Sequence, residues 1–138
     1  VPTVIAGRSV ADSSKIPNYY PEMVAKKAAA IGPIIQGTFG KAYKAGVKIA
    51  FGTDAGVFGH GKNGYEFILM NEAGMPVLEA IKSATVTAAD LLGQSDLIGS
   101  IEVGKAADIV AVPGDPVADV KLMTKINFVM KDGKVYKN

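Results

Sequence analysis

The alternation of apolar and polar positions divides the chain into a helix-rich front and a strand-rich end. Val1-Pro2-Thr3-Val4-Ile5-Ala6 is an apolar, β-branched run. It predicts a strand over Val1–Ala6, with Pro2 at the start, where a missing donor is tolerated. Gly7 to Tyr20 is polar and reads as an irregular loop holding Arg8, Asp12, Lys15 and the pair Tyr19-Tyr20. Loops of that length in compact domains are uncommon and often functional. Pro21 suits a first helical position, and a helix is predicted from Glu22 to Ala30, interrupted at Gly32-Pro33. A second helix runs from Ile34 to Ala45, where Ile35, Phe39, Ala42 and Tyr43 form one apolar stripe at helical spacing. Gly46 ends it, and Lys48–Gly52 follows as a short buried strand. Strand, helix and strand in succession predict a βαβ unit with parallel strands and a right-handed crossover.

Beyond a glycine-rich stretch, Gly56–Gly64, helices are predicted over Tyr65–Glu72, Pro76–Ser83 and Thr87–Leu92. Thr87-Ala88-Ala89-Asp90 resembles a capping box, with Asp in place of the usual Glu. From Ile98 the period becomes strand-like. Ser100–Val103 is a short strand followed by a turn at Gly104-Lys105. Asp108–Val112 is a strand stopped by Pro113-Gly114-Asp115-Pro116, and Ile126–Met130 is another. Asp132-Gly133 is a strong two-residue hairpin signal, returning through Lys134-Val135-Tyr136. The shift near residue 97 marks a boundary between an α/β part (1–97) and a small all-β part (98–138).

Composition narrows the function classes. Hydrophobic residues make up 49% and charged residues 20% of 138, as in ordinary globular domains. The net charge of +2 is too balanced to argue for nucleic acid. No apolar stretch reaches the ~18 residues of a membrane helix, so no membrane partner is expected. The absence of cysteine removes disulfides and thiolate metal sites and fits a reducing, cytoplasmic compartment. The chain opens on Val1 in mid-pattern, as expected of a processed or truncated polypeptide.

Candidate chemistry centres on Phe51-Gly52-Thr53-Asp54-Ala55-Gly56. An Asp at the carboxyl end of a strand in a parallel α/β protein sits where ligands bind, and small neighbours let a metal or substrate approach the backbone. Thr-Asp-Ala-Gly is equally good turn chemistry. His60, the single histidine, lies in Gly59-His60-Gly61-Lys62-Asn63. It either contacts substrate or orders its glycine-rich loop. That loop fits neither the phosphate-loop nor the dinucleotide fingerprint. Arg8 lies in the long loop after the first predicted strand, and an Arg there could hold a substrate carboxylate through paired hydrogen bonds, although most surface arginines do no such thing. Asp108 is read as a turn cap, and Asp115 and Asp119 as parts of a solvated loop.

Three segments together resemble one family. They are Gly46–Gly56 with its GTDAG string, Glu72–Thr85 followed by Ala88-Ala89 and Leu91-Leu92-Gly93, and Ile98–Val110. In combination they are similar to the carboxyl-terminal portion of a metal-dependent amidohydrolase, in the imidazolonepropionase-like and prolidase-like branch. The resemblance covers nearly the whole chain. It implies an α/β fold: the last two strands and helices of a (β/α)8 TIM barrel, followed by part of a small β-sandwich. A whole barrel takes ~250 residues. Val1–Ala6 would be the seventh strand and Lys48–Gly52 the eighth. Asp54 matches the family's eighth-strand aspartate, which touches a metal and takes a proton from the activated water as it attacks a carbonyl. The remaining ligands in the family are histidines on the first, fifth and sixth strands, often with a carboxylated lysine or Glu on the fourth, and none of these is present here.

The resemblance therefore implies a fragment of a hydrolase that cuts an amide C–N bond, in a dipeptide or an N-acyl amino acid. One or two divalent ions, zinc by expectation, would serve the complete enzyme. A catalytic zinc site needs about three protein ligands, so the chain alone should be inactive without the remainder of the barrel or a companion chain. The rival expectation is a non-catalytic folded module or assembly element. Exposed sheet edges promote self-association, so a homo-oligomer is expected.

Overall fold

The computed structural model describes all 138 residues. Five helices come first: α1 (Val4–Ser13), α2 (Glu22–Lys44), α3 (Tyr65–Glu72), α4 (Val77–Ser83) and α5 (Val86–Leu91). A three-stranded antiparallel sheet follows, made of β1 (Ile109–Ala111), β2 (Phe128–Lys131) and β3 (Lys134–Lys137), with a 3-10 turn at Val120–Thr124 between β1 and β2. No helix is long and apolar enough to cross a membrane.

The predicted strand over Val1–Ala6 and the loop after it are corrected. From Val4 to Ser13 the chain is helical. Val4, Ile5, Ala6 and Ala11 are buried, whereas Arg8 and Asp12 pair across one exposed turn, with Arg8 Nε 3.1 Å from Asp12 Oδ2. The helix has no side-chain cap from its own neighbourhood, and Thr3 precedes it with a left-handed φ of 46°. Its amides are satisfied instead by a distant residue, a contact that local sequence cannot reveal.

The interruption predicted at Gly32-Pro33 does not occur either: α2 runs unbroken through Pro33. An interior proline costs roughly 3 kcal/mol, from a lost hydrogen bond and a ring clash. Tertiary contacts oppose that cost. Ala28, Gly32, Phe39 and Gly40 are buried, and Gln36 donates to the Leu69 carbonyl at 3.0 Å. Gly32 lets α1 and α2 touch, since a Cβ there would collide with the Ala11 Cβ and approach the Gly7 carbonyl oxygen to 3.1 Å. Gly32→Ala should therefore destabilise the chain. Overpacking of ~2 kcal/mol exceeds the ~1 kcal/mol gain in helix propensity, which would appear as a lower urea midpoint at an unchanged slope.

Lys48–Gly52 lies outside the only sheet, so the parallel βαβ pair is not formed. Helix α1 begins at Val4 and commits the backbone groups that a longer first strand would have offered. The segment is held in other ways. Ile49 and Ala50 are buried, Phe51 N–H donates to the Ser83 carbonyl at 2.9 Å, and the Phe51 ring stacks on Phe67 with centroids 4.3 Å apart. The core around it joins Val4, Ile5, Phe39, Ile49, Phe67 and Met70, and Val120 and Met123 pack on it from the 3-10 turn.

The three helices predicted after the glycine-rich stretch form within a residue or two of expectation. Thr87 and Asp90 do not make a capping box: both lie inside α5, no side chain caps that helix, and Asp90 pairs with Lys48. Ser100–Val103 is turn and coil rather than strand. The hairpin forms as its turn chemistry dictates. Asp132 and Gly133 adopt φ of 49° and 74°, the type I′ signature, and Lys131 faces Lys134 across it. Asp108 caps this turn, accepting the Asp132 N–H at 2.8 Å and lying 2.9 Å from Lys131 Nζ. These contacts hold the Asp108 carboxyl below its ordinary range, the Asp132 N–H most of all.

Candidate functional site

Asp54 follows the buried Thr53 at the end of the irregular Lys48–Gly52 run. Its φ is 54°, in the left-handed region that Asp tolerates better than most residues. The Asp54 carbonyl accepts the Val57 N–H at 3.3 Å and so turns the chain. Its carboxylate is exposed and accepts no hydrogen bond from the chain. The backbone therefore makes the turn, and the side chain is left available to an external group.

His60 lies six residues further on, exposed and with no side-chain hydrogen bond. Arg8 is on α1 rather than in a loop, and its guanidinium is engaged by Asp12. Lys15 also reaches Asp12, at 2.7 Å. These two cations hold the Asp12 carboxyl below its ordinary range, the Lys15 contact contributing most. A cavity of about 900 Å³ opens between α1, α3 and the 3-10 turn, lined by Arg8, Tyr19, Phe58, Lys62, Tyr65 and Lys121 among others. Neither Asp54 nor His60 lines it. The three candidate residues are thus not gathered into this cavity.

A metal centre is not completed by these residues. No group of three or more His, Cys, Asp or Glu side chains is close enough to hold an ion. Asp54 is one potential ligand, and the only histidine does not converge on it in any such group.

Glu66 was not singled out from the sequence, yet it is the most constrained acid in the chain. It is fully buried at 0% exposure. One carboxylate oxygen accepts the Val4 N–H at 2.9 Å, and the other accepts the Ile5 N–H at 2.6 Å. Glu66 on α3 thereby closes the open N-terminus of α1, where unpaired amides and the helix dipole favour an anion. Burial raises its pKa above the ordinary value, and the two amides offset only part of that rise. A signal was present in the sequence. At helical spacing Glu66 shares a face with Leu69 and Met70, both buried.

Comparison with known proteins gives these features a family. The amidohydrolase family model matches residues 15–136. A solved Xaa-Pro dipeptidase, with methionine bound in its active site, superposes with a TM-score of 0.95 at 54% identity, covering 100% of this chain and 34% of that one. Ochratoxinase of Aspergillus niger is 38% identical over 100 residues, 70% of this chain and 21% of its own length. Imidazolonepropionase of Fusobacterium nucleatum is 35% identical over 101 residues, 69% of this chain and 24% of its own. The chain thus spans less than a quarter of the length of these two curated relatives. The GTDAG turn, the Glu72–Thr85 segment and nearly all of the strand-rich end fall within the matched span, and the chain belongs to the amidohydrolase family.

Proposed function

We propose that this chain is the part of a metal-dependent hydrolase that supplies the Asp54 carboxylate, and that the complete protein hydrolyses an amide C–N bond in a dipeptide or an N-acyl amino acid. The observation that carries this reading is the 54% identity, over the full chain, to a protein described as a Xaa-Pro dipeptidase. The state of Asp54 supports it: exposed, unpartnered, and held in a left-handed turn after the partly buried Ile49–Thr53 segment. In the complete protein Asp54 serves as metal ligand and general base, with zinc as the expected ion. The other ligands come from outside these residues, which by themselves do not fit a metal. Residues 1–97 would belong to the barrel and 98–138 to the β-sandwich. His60 is assigned to the substrate side of the glycine-rich turn and Arg8 to a substrate carboxylate. Arg8 must exchange Asp12 for that carboxylate to do so.

The decisive experiment combines the chain with a companion polypeptide carrying the missing histidine ligands. Zinc per assembly and dipeptide hydrolysis are then measured, against the isolated chain as control. Turnover and bound zinc in the assembly alone support the reading. Turnover by the isolated chain overturns the division of ligands, and an assembly with zinc but no activity on any amide overturns the reaction.

The alternative, a non-catalytic association module, is favoured by one feature. Large apolar side chains stand exposed, among them Ile34 at 62%, Leu91 at 65% and Ile101 at 82%. Such surface drives association, and the isolated chain should elute as an oligomer in size-exclusion chromatography. Asp54→Asn should leave that elution unchanged.

A further inference from the structure

The buried carboxylate of Glu66 has a use beyond closing a helix, because of what lies on either side of it. Its two oxygens hold the amides of Val4 and Ile5. This sets the preceding residues, Val1–Thr3, and those residues lie against Gly52. A Cβ on Gly52 would collide with Cγ1 of Val1 and sit 3.9 Å from Cγ2 of Thr3. Gly52 is two residues before Asp54. The residue after Glu66, Phe67, is buried and stacks on Phe51, the other neighbour of Gly52. The Phe51–Gly52 segment is therefore gripped from two sides by contacts that meet at Glu66 and Phe67. The grip ends where the chain turns into the left-handed conformation of Asp54.

We infer that Glu66 is a positioning residue for Asp54: by fixing the start of α1 it places Val1–Thr3 against Gly52 and so sets where the Asp54 carboxylate stands. The inference rests on the reading of Asp54 as the reacting carboxylate, but its geometry does not. The arrangement suits a site whose carboxylate has no hydrogen bond of its own to orient it. Side-chain partners normally lock such a group. Here the orientation is imposed through the backbone, by a residue distant in sequence.

The test is a resonance map of the 138-residue chain, comparing wild type with Glu66→Gln. Glutamine keeps the volume and one acceptor, and turns an amide N–H₂ toward the second backbone donor. The expected result is a shift of the Val4 and Ile5 amides accompanied by shifts at Gly52, Thr53 and Asp54, including the Asp54 side-chain carboxyl carbon. Residues of β2 and β3 should not move. Val129→Ala, a destabilising change in β2, should leave Gly52–Asp54 in place, which separates positioning from a general loss of stability. Perturbations that stop at Val4 and Ile5 overturn the inference. If Glu66→Gln does not fold, Val1→Ala decides, since Val1 is exposed and its trimming removes the contact over Gly52 while leaving the Glu66 bonds to Val4 and Ile5 in place. An unmoved Asp54 in that variant overturns the inference, and a shifted one supports it. Because the readout is a resonance and not turnover, failure here leaves the catalytic reading of Asp54 intact, to stand or fall on Asp54→Asn.

Discussion

Asp54→Asn in the assembled hydrolase is expected to lower kcat by roughly a thousandfold or more, the size of effect that follows loss of a positioned general base. The substitution isolates the carboxylate. Asn is among the few residues that tolerate the left-handed region, where Asp54 has φ 54°, so the turn survives. The Thr53 burial and the Val57 N–H bond to the Asp54 carbonyl depend on backbone placement and are unaffected. The fold and the melting temperature of the isolated chain should therefore match wild type. Steady-state kinetics on a dipeptide, with metal content measured on the same sample, gives the answer. Retained turnover in a properly folded variant removes Asp54 from the chemistry.

The second large effect is on stability. Glu66→Ala leaves two buried amides, Val4 and Ile5, without acceptors and opens a void where a fully buried side chain stood. Breaking a buried charge-assisted arrangement from one side costs about 3 kcal/mol, or roughly 10 °C in melting temperature for a chain of this size. Glu66→Gln should cost less, since one acceptor remains.

The pH dependence of Glu66 has a definite sign. Its carboxyl lies above the ordinary glutamate value of 4.5 because burial disfavours the charged form. The folded state then binds the proton more readily than the unfolded state. Stability from this group rises as pH falls through the raised value, and the gain is complete below 4.5. The stability of wild type relative to Glu66→Gln should accordingly increase on acidification from neutral pH toward the ordinary value of 4.5. Asp12, held below its ordinary value of 3.8 by Lys15 above all, acts oppositely and lower on the scale. Its contribution is present above 3.8 and is lost as pH falls below it. Thermal melts of the two proteins across that range test the sign directly, and a wild-type advantage that shrinks on acidification rejects it.

The elements that could be read from the sequence are those whose stabilising contacts are local. Helices α3 and α4 announce themselves by good helix formers between glycine and proline. The Asp132-Gly133 turn does so because few residues accept two consecutive positive φ values, and the turn then sets the pairing of β2 and β3. Asp108 as a turn cap was legible for the same reason. The GTDAG string was legible as a turn, and the left-handed Asp54 agrees with that turn chemistry.

The front of the chain was not legible, because its conformation depends on residues more than sixty positions away. Val1–Ala6 has the composition of a strand, yet Val4 begins a helix whose first amides are satisfied by Glu66. Proline at position 33 is a local helix breaker, yet α2 continues because its buried face packs against α1 and α3. Local preference sets what a segment can adopt at a cost of a few kcal/mol, and burial of a shared face outweighs it. By itself the sequence determined the family, the helical and strand-rich parts, the hairpin and the turn at Asp54. The tertiary structure alone decided where α1 starts, what holds it, and that Asp54 and His60 stand outside the cavity that Arg8 lines, since each follows from contacts between residues far apart in the chain.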